Sequence, residues 1–212
     1  MPFSPKKPAS MIGTFAMVLF FTMLKEAYED YQRAVSDKEM NTRRTKILDC
    51  RSGEVRDHRW LDIKVGDIVK VEKDQEVPAD LLLIHASKDV VFVSTMNLDG
   101  ETNLKDRELC VTTLNEKRLP LFGGTILCDE ANASLDNWEG NLTSPELSKI
   151  RSCNIKNLLL RGTTLKNIDC AYGICVYVGT ETKIFKNSKP APRKISNLMK
   201  VMNKMLYTVF AF

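Results

Sequence analysis

The residues best suited to chemistry lie in the stretch 97–105, which reads NLDGETNLK. A strand-like run at 90–93 precedes it, and the Asp99-Gly100 pair predicts a tight reversal of the chain, because glycine adopts positive φ without a Cβ clash. Such a reversal holds the Glu101 carboxylate at an outward-facing loop tip, where it can act on a group that this chain does not contain. On spacing alone, the same residues are more typical of a solvated hairpin turn. The sequence around the loop is needed to distinguish these two interpretations.

Short strand-like runs surround this loop. From residue 45 onward, apolar and β-branched segments alternate with turn residues, a pattern typical of a β-rich domain. The predicted strands are 46–48, 54–56, 68–71, 81–84, 90–93, 157–165 and 171–178. Between about 110 and 156 the pattern weakens, which indicates a loop-rich insertion with a short helix near 144–149, where Ser144 can cap and Pro145 can occupy the first turn. Periodicity thus predicts a sheet-rich unit, 42–188, interrupted by an insertion.

Apolar segments flank this unit. The proline-containing segment 1–10 is interpreted as an extracytosolic lead-in. The segment 11–41 begins with an uncharged run that ends at Leu24, short of the ~20 residues that cross a bilayer. No small-residue cleavage site follows, so we favour an uncleaved, short transmembrane helix that continues as a stalk, with a buried core helix as the alternative. The segment 189–212 predicts a linker and the start of another transmembrane helix, and nearby basic residues predict a cytoplasmic location for 42–188.

Composition excludes several function classes. The chain has 212 residues, with 31 Lys+Arg against 27 Asp+Glu, and the charges are interspersed, which is not typical of a nucleic-acid binder. Six cysteines form no Cys-x-x-Cys pair, and only two histidines are present. We therefore predict free cytosolic thiols and no metal site.

The stretch 96–105 closely resembles the actuator-domain loop of type IV P-type ATPases, the phospholipid flippases. Further blocks resemble the family's actuator strands in the same order. They are VGDIV at 65–69, PADLLL at 78–83, NLLLRGT at 157–163 and GTETK at 179–183. Charged residues at 25–33 are similar to the base of the family's second transmembrane helix, so the resemblance covers about 5–212. Other P-type ATPases usually carry Thr-Gly-Glu-Ser at this loop, so Asp99 and Thr102 indicate the lipid-transporting branch.

The resemblance implies a mainly β fold, the distorted jelly roll (double-stranded β-helix) of an actuator domain, flanked by transmembrane and stalk helices. It implies that Glu101 positions water and acts as general base when an aspartyl phosphate on another domain is hydrolysed, a contribution of ~100- to 10,000-fold. Gly100 would allow close approach to the phosphate. Asp99 and Thr102 would shape the loop through local side-chain to backbone bonds.

The family's phosphorylation segment, DKTGT, does not occur in this sequence. The resemblance therefore implies that ATP and Mg²⁺ bind to the whole enzyme, on its phosphorylation and nucleotide-binding domains, and that this chain alone is inactive. A phospholipid membrane and an accessory transmembrane β-subunit are the other implied partners. Two alternatives stay open. The chain can be the actuator of a cation-transporting P-type ATPase, or a membrane-tethered, non-enzymatic β interaction domain that uses the loop only as a turn.

Overall fold

The computed structural model describes residues 8–112, 114–147 and 149–188, together with Lys204. One long helix, α1, runs from Pro8 to Thr42, and short antiparallel strands follow it. The strands are β1 Arg44–Leu48, β2 Val55–Arg59, β3 Ile68–Glu72, β4 Asp80–Ala86, β5 Val90–Ser94, β6 Leu104–Glu108, β7 Thr125–Cys128, β8 Glu139–Thr143, β9 Arg151–Asn154, β10 Leu158–Leu159, β11 Thr164–Lys166 and β12 Cys170–Tyr177. Two short α-helices, α2 Met96–Asp99 and α3 Lys183–Asn187, and four 3-10 helices, Trp60–Asp62, Glu116–Leu121, Ile155–Asn157 and Gly179–Glu181, complete the described elements.

The strands form three antiparallel sheets. The largest has the order β10-β4-β12-β3-β1-β2, and the second has the order β11-β5-β6. The insertion contributes the third sheet, β7-β8-β9. The prediction of a mainly β fold is therefore confirmed, and the strands that flank the Glu101 loop, β5 and β6, belong to the second sheet.

Strand β4 explains how the layers pack. Its side chains alternate between two buried clusters, because successive residues of a strand point to opposite faces of the sheet. Leu81 and Leu83 join the cluster shared with β5 and β11, whereas Leu82 and Ile84 join the cluster shared with the insertion. Burial on both faces accounts for the continuous apolar run in this strand.

The insertion differs from the prediction. We expected loops and a short helix near 144–149, but the insertion contains a three-stranded sheet, and the described residues from 145 to 147 form a turn and a bend. The Ser144 hydroxyl donates to the carbonyl of Gly123 (2.6 Å) and accepts from the N–H of Glu146 (3.3 Å), so it joins this turn to the strand region instead of capping a helix. Strands β8 and β9 lack the apolar, β-branched runs on which the prediction relied.

Two cysteines also differ from the prediction of free thiols. Cys110 and Cys153 form a disulfide across a sequence separation of 43 residues. Spacing between cysteines in a sequence does not reveal such a pair, because the fold alone brings the two sulfurs together. The remaining four cysteines are free, as predicted.

Helix α1 contains both the apolar run and the predicted stalk. It begins at Pro8, inside the predicted lead-in, and ends at Thr42. Among the described residues, no helix is long and apolar enough to cross a membrane. The short span expected from residue 11 stays a prediction. The predicted segment 189–212 lies outside the described residues, apart from Lys204.

Candidate functional site

The Glu101 loop connects β5 to β6, which pair in register from Val90 opposite Glu108 to Ser94 opposite Leu104. The structure does not contain the tight reversal predicted at Asp99-Gly100. Instead, the connection begins with the single helical turn α2, which ends at Asp99 and is capped by Gly100. Gly100 has φ 74°, which confirms the predicted positive φ. Its N–H donates to the carbonyl of Met96 (3.1 Å). A left-handed glycine after the last helical residue is a common way to end a helix.

Three charged side chains form one network in this loop. The ammonium group of Lys105 lies 2.7 Å from Oδ2 of Asp99 and 3.0 Å from Oε2 of Glu101. Oδ1 of Asp99 accepts the backbone N–H of Glu101 (2.9 Å). The hydrogen bond from Lys105, followed by that from Glu101, lowers the pKa of Asp99 to about 2. The two carboxylates in turn raise the pKa of Lys105. Lys105 therefore holds both acidic residues on one side of the loop.

Glu101 keeps half of its carboxylate available. Its side chain is 47% exposed, and Oε2 pairs with Lys105. Within the part of the chain that the structure describes, Oε1 has no hydrogen-bond partner. The hydroxyl of Thr102 likewise makes no hydrogen bond to a described residue, whereas Asp99 makes the loop-shaping bond expected of it. One oxygen of Glu101 is thus paired with Lys105 while the other has no partner among the described residues, an arrangement suited to orienting a water molecule and accepting its proton.

Helix α2 rests on a second loop, 161–163, which follows β10. Gly162 in this loop has φ 83°, and a Cβ at that position would lie 3.2 Å from Cδ2 of Leu98 in α2. The N–H of Gly162 donates to the carbonyl of Val77 (2.9 Å), and the carbonyl of Thr163 accepts the N–H of Val77 (2.9 Å). Glycine therefore permits the close approach of this loop to α2.

A buried carboxylate anchors this second loop. Asp80 is fully buried and accepts the N–H groups of Arg161 (2.8 Å) and Lys183 (2.7 Å). Burial raises the pKa of Asp80, and the two backbone hydrogen bonds oppose that rise. These contacts give Asp80 a structural role, in which one carboxylate holds both the loop 161–163 and the start of α3. Asp80 thus holds the backbone at Arg161, next to the glycine that approaches α2, and so supports the Glu101 loop indirectly.

Lys183 continues the support into the insertion. Its ammonium group is buried and donates to Oδ1 of Asn132 (2.7 Å), to the carbonyl of Ser134 (2.8 Å) and to the carbonyl of Asn137 (2.9 Å). Burial lowers the pKa of Lys183, whereas the charge of Asp80 opposes that fall. This lysine therefore ties α3 to a loop of the insertion.

Sequence reasoning missed Lys105 and Lys183 as functional or supporting residues. Lys105 lies in the stretch singled out for the loop, but its position four residues after Glu101 predicts contact only on a helix. In the structure, the turn that precedes β6 brings the two side chains together. Among the described residues, no group of three or more His, Cys, Asp or Glu side chains can hold a metal ion.

Comparison with known proteins places this sequence in a family. The sequence model of the P-type ATPase actuator domain matches residues 39–138. Phospholipid-transporting ATPase 6 of Arabidopsis thaliana is 39% identical over 215 residues, which cover 99% of this chain and 17% of that relative. Phospholipid-transporting ATPase DRS2 of Saccharomyces cerevisiae is 34% identical over 212 residues, which cover 98% of this chain and 16% of that relative. The chain thus spans less than a fifth of the length of these relatives.

The antiparallel sheets, with the Asp-Gly-Glu-Thr loop between β5 and β6, define this part of the chain as a P-type ATPase actuator domain. The chain belongs to the type IV P-type ATPases, the branch that contains the relatives named above. The resemblance noted from residues 96–105 is therefore confirmed.

Proposed function

We propose that this chain is the actuator portion of an ATP-driven phospholipid transporter, in which Glu101 promotes hydrolysis of an aspartyl phosphate on another domain. The observation that carries the proposal is the Glu101 carboxylate, which is half exposed and fixed at Oε2 by Lys105, 3.0 Å away. The same lysine lies 2.7 Å from Asp99, so two acidic side chains converge on it at one loop tip. The similarity to phospholipid-transporting ATPases supports a lipid as the transported substrate over a cation.

The proposed chemistry uses both oxygens of Glu101. Lys105 pairs with Oε2, which leaves Oε1 for an incoming water molecule. As this water attacks the phosphorus atom, Oε1 accepts its proton, which makes the oxygen a better nucleophile. Fixing the carboxylate before the reaction lowers the entropic cost of placing the water. Together, positioning and base catalysis are expected to contribute ~100- to 10,000-fold to the rate of hydrolysis.

The neighbouring residues position Glu101 and do not react. Asp99 orients the backbone of Glu101 through its 2.9 Å hydrogen bond and binds Lys105 through its other oxygen. Gly100 removes side-chain bulk where a phosphate has to approach. We assign no catalytic step to Thr102, whose proposed role is confined to the shape of the loop.

The remaining parts of the reaction belong to the whole transporter. Its phosphorylation and nucleotide-binding domains would supply the acceptor aspartate and the sites for ATP and Mg²⁺. Rotation of the actuator against the phosphorylation domain would couple hydrolysis to lipid movement across the membrane. A cytoplasmic location for 42–188 and an accessory transmembrane β-subunit are further parts of the proposal.

Glu101→Gln in the whole transporter tests this function. Glutamine keeps the size of the side chain but accepts no proton, so the phosphoenzyme is expected to form and accumulate while lipid transport is lost. Glu181→Gln is a matched control, because Glu181 is also an exposed carboxylate paired with a lysine, at 2.8 Å from Lys186. Normal phosphoenzyme turnover in Glu101→Gln, equal to that of Glu181→Gln, would reduce Glu101 to a turn residue.

A further inference from the structure

The disulfide between Cys110 and Cys153 lies at a junction that the proposed mechanism does not use. Cys153 is 2% exposed and belongs to β9 of the insertion, whereas Cys110 is half-buried and follows β6. The two Cα atoms are 6.2 Å apart, within the usual range for disulfides. The bond therefore joins the strand that leaves the Glu101 loop to the insertion.

This junction is ordered by contacts other than the disulfide. The N–H of Cys110 donates to the carbonyl of Leu83 in β4 (2.9 Å). Nearby, Nδ2 of Asn157 donates to the carbonyl of Glu108 at the end of β6 (3.0 Å). These hydrogen bonds hold β6 against the segment that follows β9, so the two thiols of the reduced protein are expected to stay adjacent. Adjacent thiols form a disulfide readily, because the second step is intramolecular.

We propose that Cys110 and Cys153 form a reversible redox modification site, with a low-molecular-weight disulfide such as oxidised glutathione as the co-substrate. The reversibility rests on the proposed cytoplasmic location, where protein disulfides are usually transient and redox-responsive. The pairing itself does not depend on the proposed role of Glu101.

The chemistry starts at the more accessible sulfur. The Cys110 thiolate attacks one sulfur of oxidised glutathione and releases one glutathione thiolate, which takes up a proton. The Cys153 thiolate then attacks the Cys110 sulfur of the mixed disulfide and releases the second glutathione. The two protein thiols are oxidised to one disulfide, and one oxidised glutathione is reduced to two glutathione molecules. Excess reduced glutathione drives both steps backwards.

The expected consequence is a more stable insertion. The bond closes a loop that contains β7 and β8 and part of β9, and closing a loop restricts the unfolded chain more than the folded one. For a separation of 43 residues, the loop-closure relation and the usual link between stability and melting temperature predict a rise in Tm of roughly 5–15 °C on oxidation. The buried Cys175 is not expected to react, because burial raises the pKa of its thiol to about 12.

The test uses the purified 212-residue chain in detergent, equilibrated in glutathione buffers of increasing oxidised fraction and then quenched with N-ethylmaleimide. Peptide mass mapping is expected to find the Cys110–Cys153 peptide increasing with the oxidised fraction and disappearing after return to reduced glutathione. Thermal melts of the same samples are expected to shift upward with the linked fraction. Cys110→Ser and Cys153→Ser should each abolish both changes, whereas Cys50→Ser, which removes an exposed free thiol, should keep both.

Mapping on the wild-type chain keeps the test decisive even where a serine variant folds poorly. The proposal is overturned when the two thiols are alkylated or carry glutathione separately under oxidising buffer. It is equally overturned when the linked peptide persists in reduced glutathione, because the bond is then a permanent structural disulfide. Neither result bears on phosphoenzyme turnover in Glu101→Gln, so failure of this site and failure of the proposed function are distinguishable.

Discussion

Replacing Lys183 by methionine tests how the insertion is attached to the rest of the fold. The substitution keeps the length and most of the volume of the side chain, so packing changes little. It removes the buried ammonium group that donates three hydrogen bonds, to Asn132, Ser134 and Asn137, at 2.7–2.9 Å. The Asp80 hydrogen bond to residue 183 survives, because it uses the backbone N–H.

The magnitude follows from these three hydrogen bonds. A hydrogen bond to a charged group contributes about 1.5–3 kcal/mol, so the three together contribute about 4.5–9 kcal/mol. Burying the ammonium group costs several kcal/mol, and the methionine variant no longer has that cost. Ser134 and Asn137 are exposed residues, so their carbonyl groups can bind water in the variant. We expect the free energy of unfolding to fall by about 2–4 kcal/mol.

Urea denaturation of the fragment 42–188, followed by tryptophan fluorescence, measures this loss. All variants carry Trp60→Phe, so that the fluorescence comes from Trp138 and reports on the insertion. Trp138 is buried there, and its indole N–H donates to the hydroxyl of Tyr177 (3.1 Å). Lys186→Met is the matched control, since Lys186 forms only a surface ion pair with Glu181, and its loss is expected to cost less than about 1 kcal/mol. Equal midpoints for Lys183→Met and Lys186→Met would refute the role given to Lys183.

Three further predictions concern the domain and its loop. The fragment 42–188 is expected to melt cooperatively with a β-rich circular dichroism spectrum, and an unfolded or aggregated fragment would contradict the predicted domain bounds. The pKa of Asp99 is about 2 against an ordinary 3.8, so the stability contributed by its pairing is complete above about pH 5 and is lost as the pH falls through 2. The titration of the Asp99 carboxyl can be followed by ¹³C NMR, and Lys105→Met should move its pKa back up. The chain alone is expected to show no phosphoenzyme with labelled ATP and Mg²⁺, so labelling above background would require a phosphorylation site within it.

Long apolar runs made the central strands predictable. Strands β4 and β12 are mostly buried and β5 buries Val91 and Val93, so apolar and β-branched residues predominate in all three. The insertion strands escaped prediction, since β9 reads RSCN and only Cys153 among these residues is buried. Short, mostly exposed strands form through pairing with neighbours, which a local pattern does not contain.

The sequence predicted the loop residues of the candidate site but not the contacts that support the loop. The sequence located Glu101 on a loop and the positive φ of Gly100, because both depend on residue type at one position. The contacts of Lys183 join residues 46–51 positions apart, and the close approach of Gly162 to Leu98 joins the loop 161–163 to α2. Such contacts exist only after the sheets have packed, so no spacing in the sequence predicts them.

The rate of phosphoenzyme decay in Glu101→Gln tests the role of the loop most directly. The whole transporter is labelled with radioactive ATP, and the label is followed after a chase with unlabelled ATP. We predict normal labelling and a decay that is slower by ~100- to 10,000-fold, because glutamine cannot accept the proton of the attacking water. Asp99→Asn is the control, and it should change the loop more than the chemistry. Decay of Glu101→Gln at the wild-type rate would contradict the proposal that this carboxylate acts in hydrolysis.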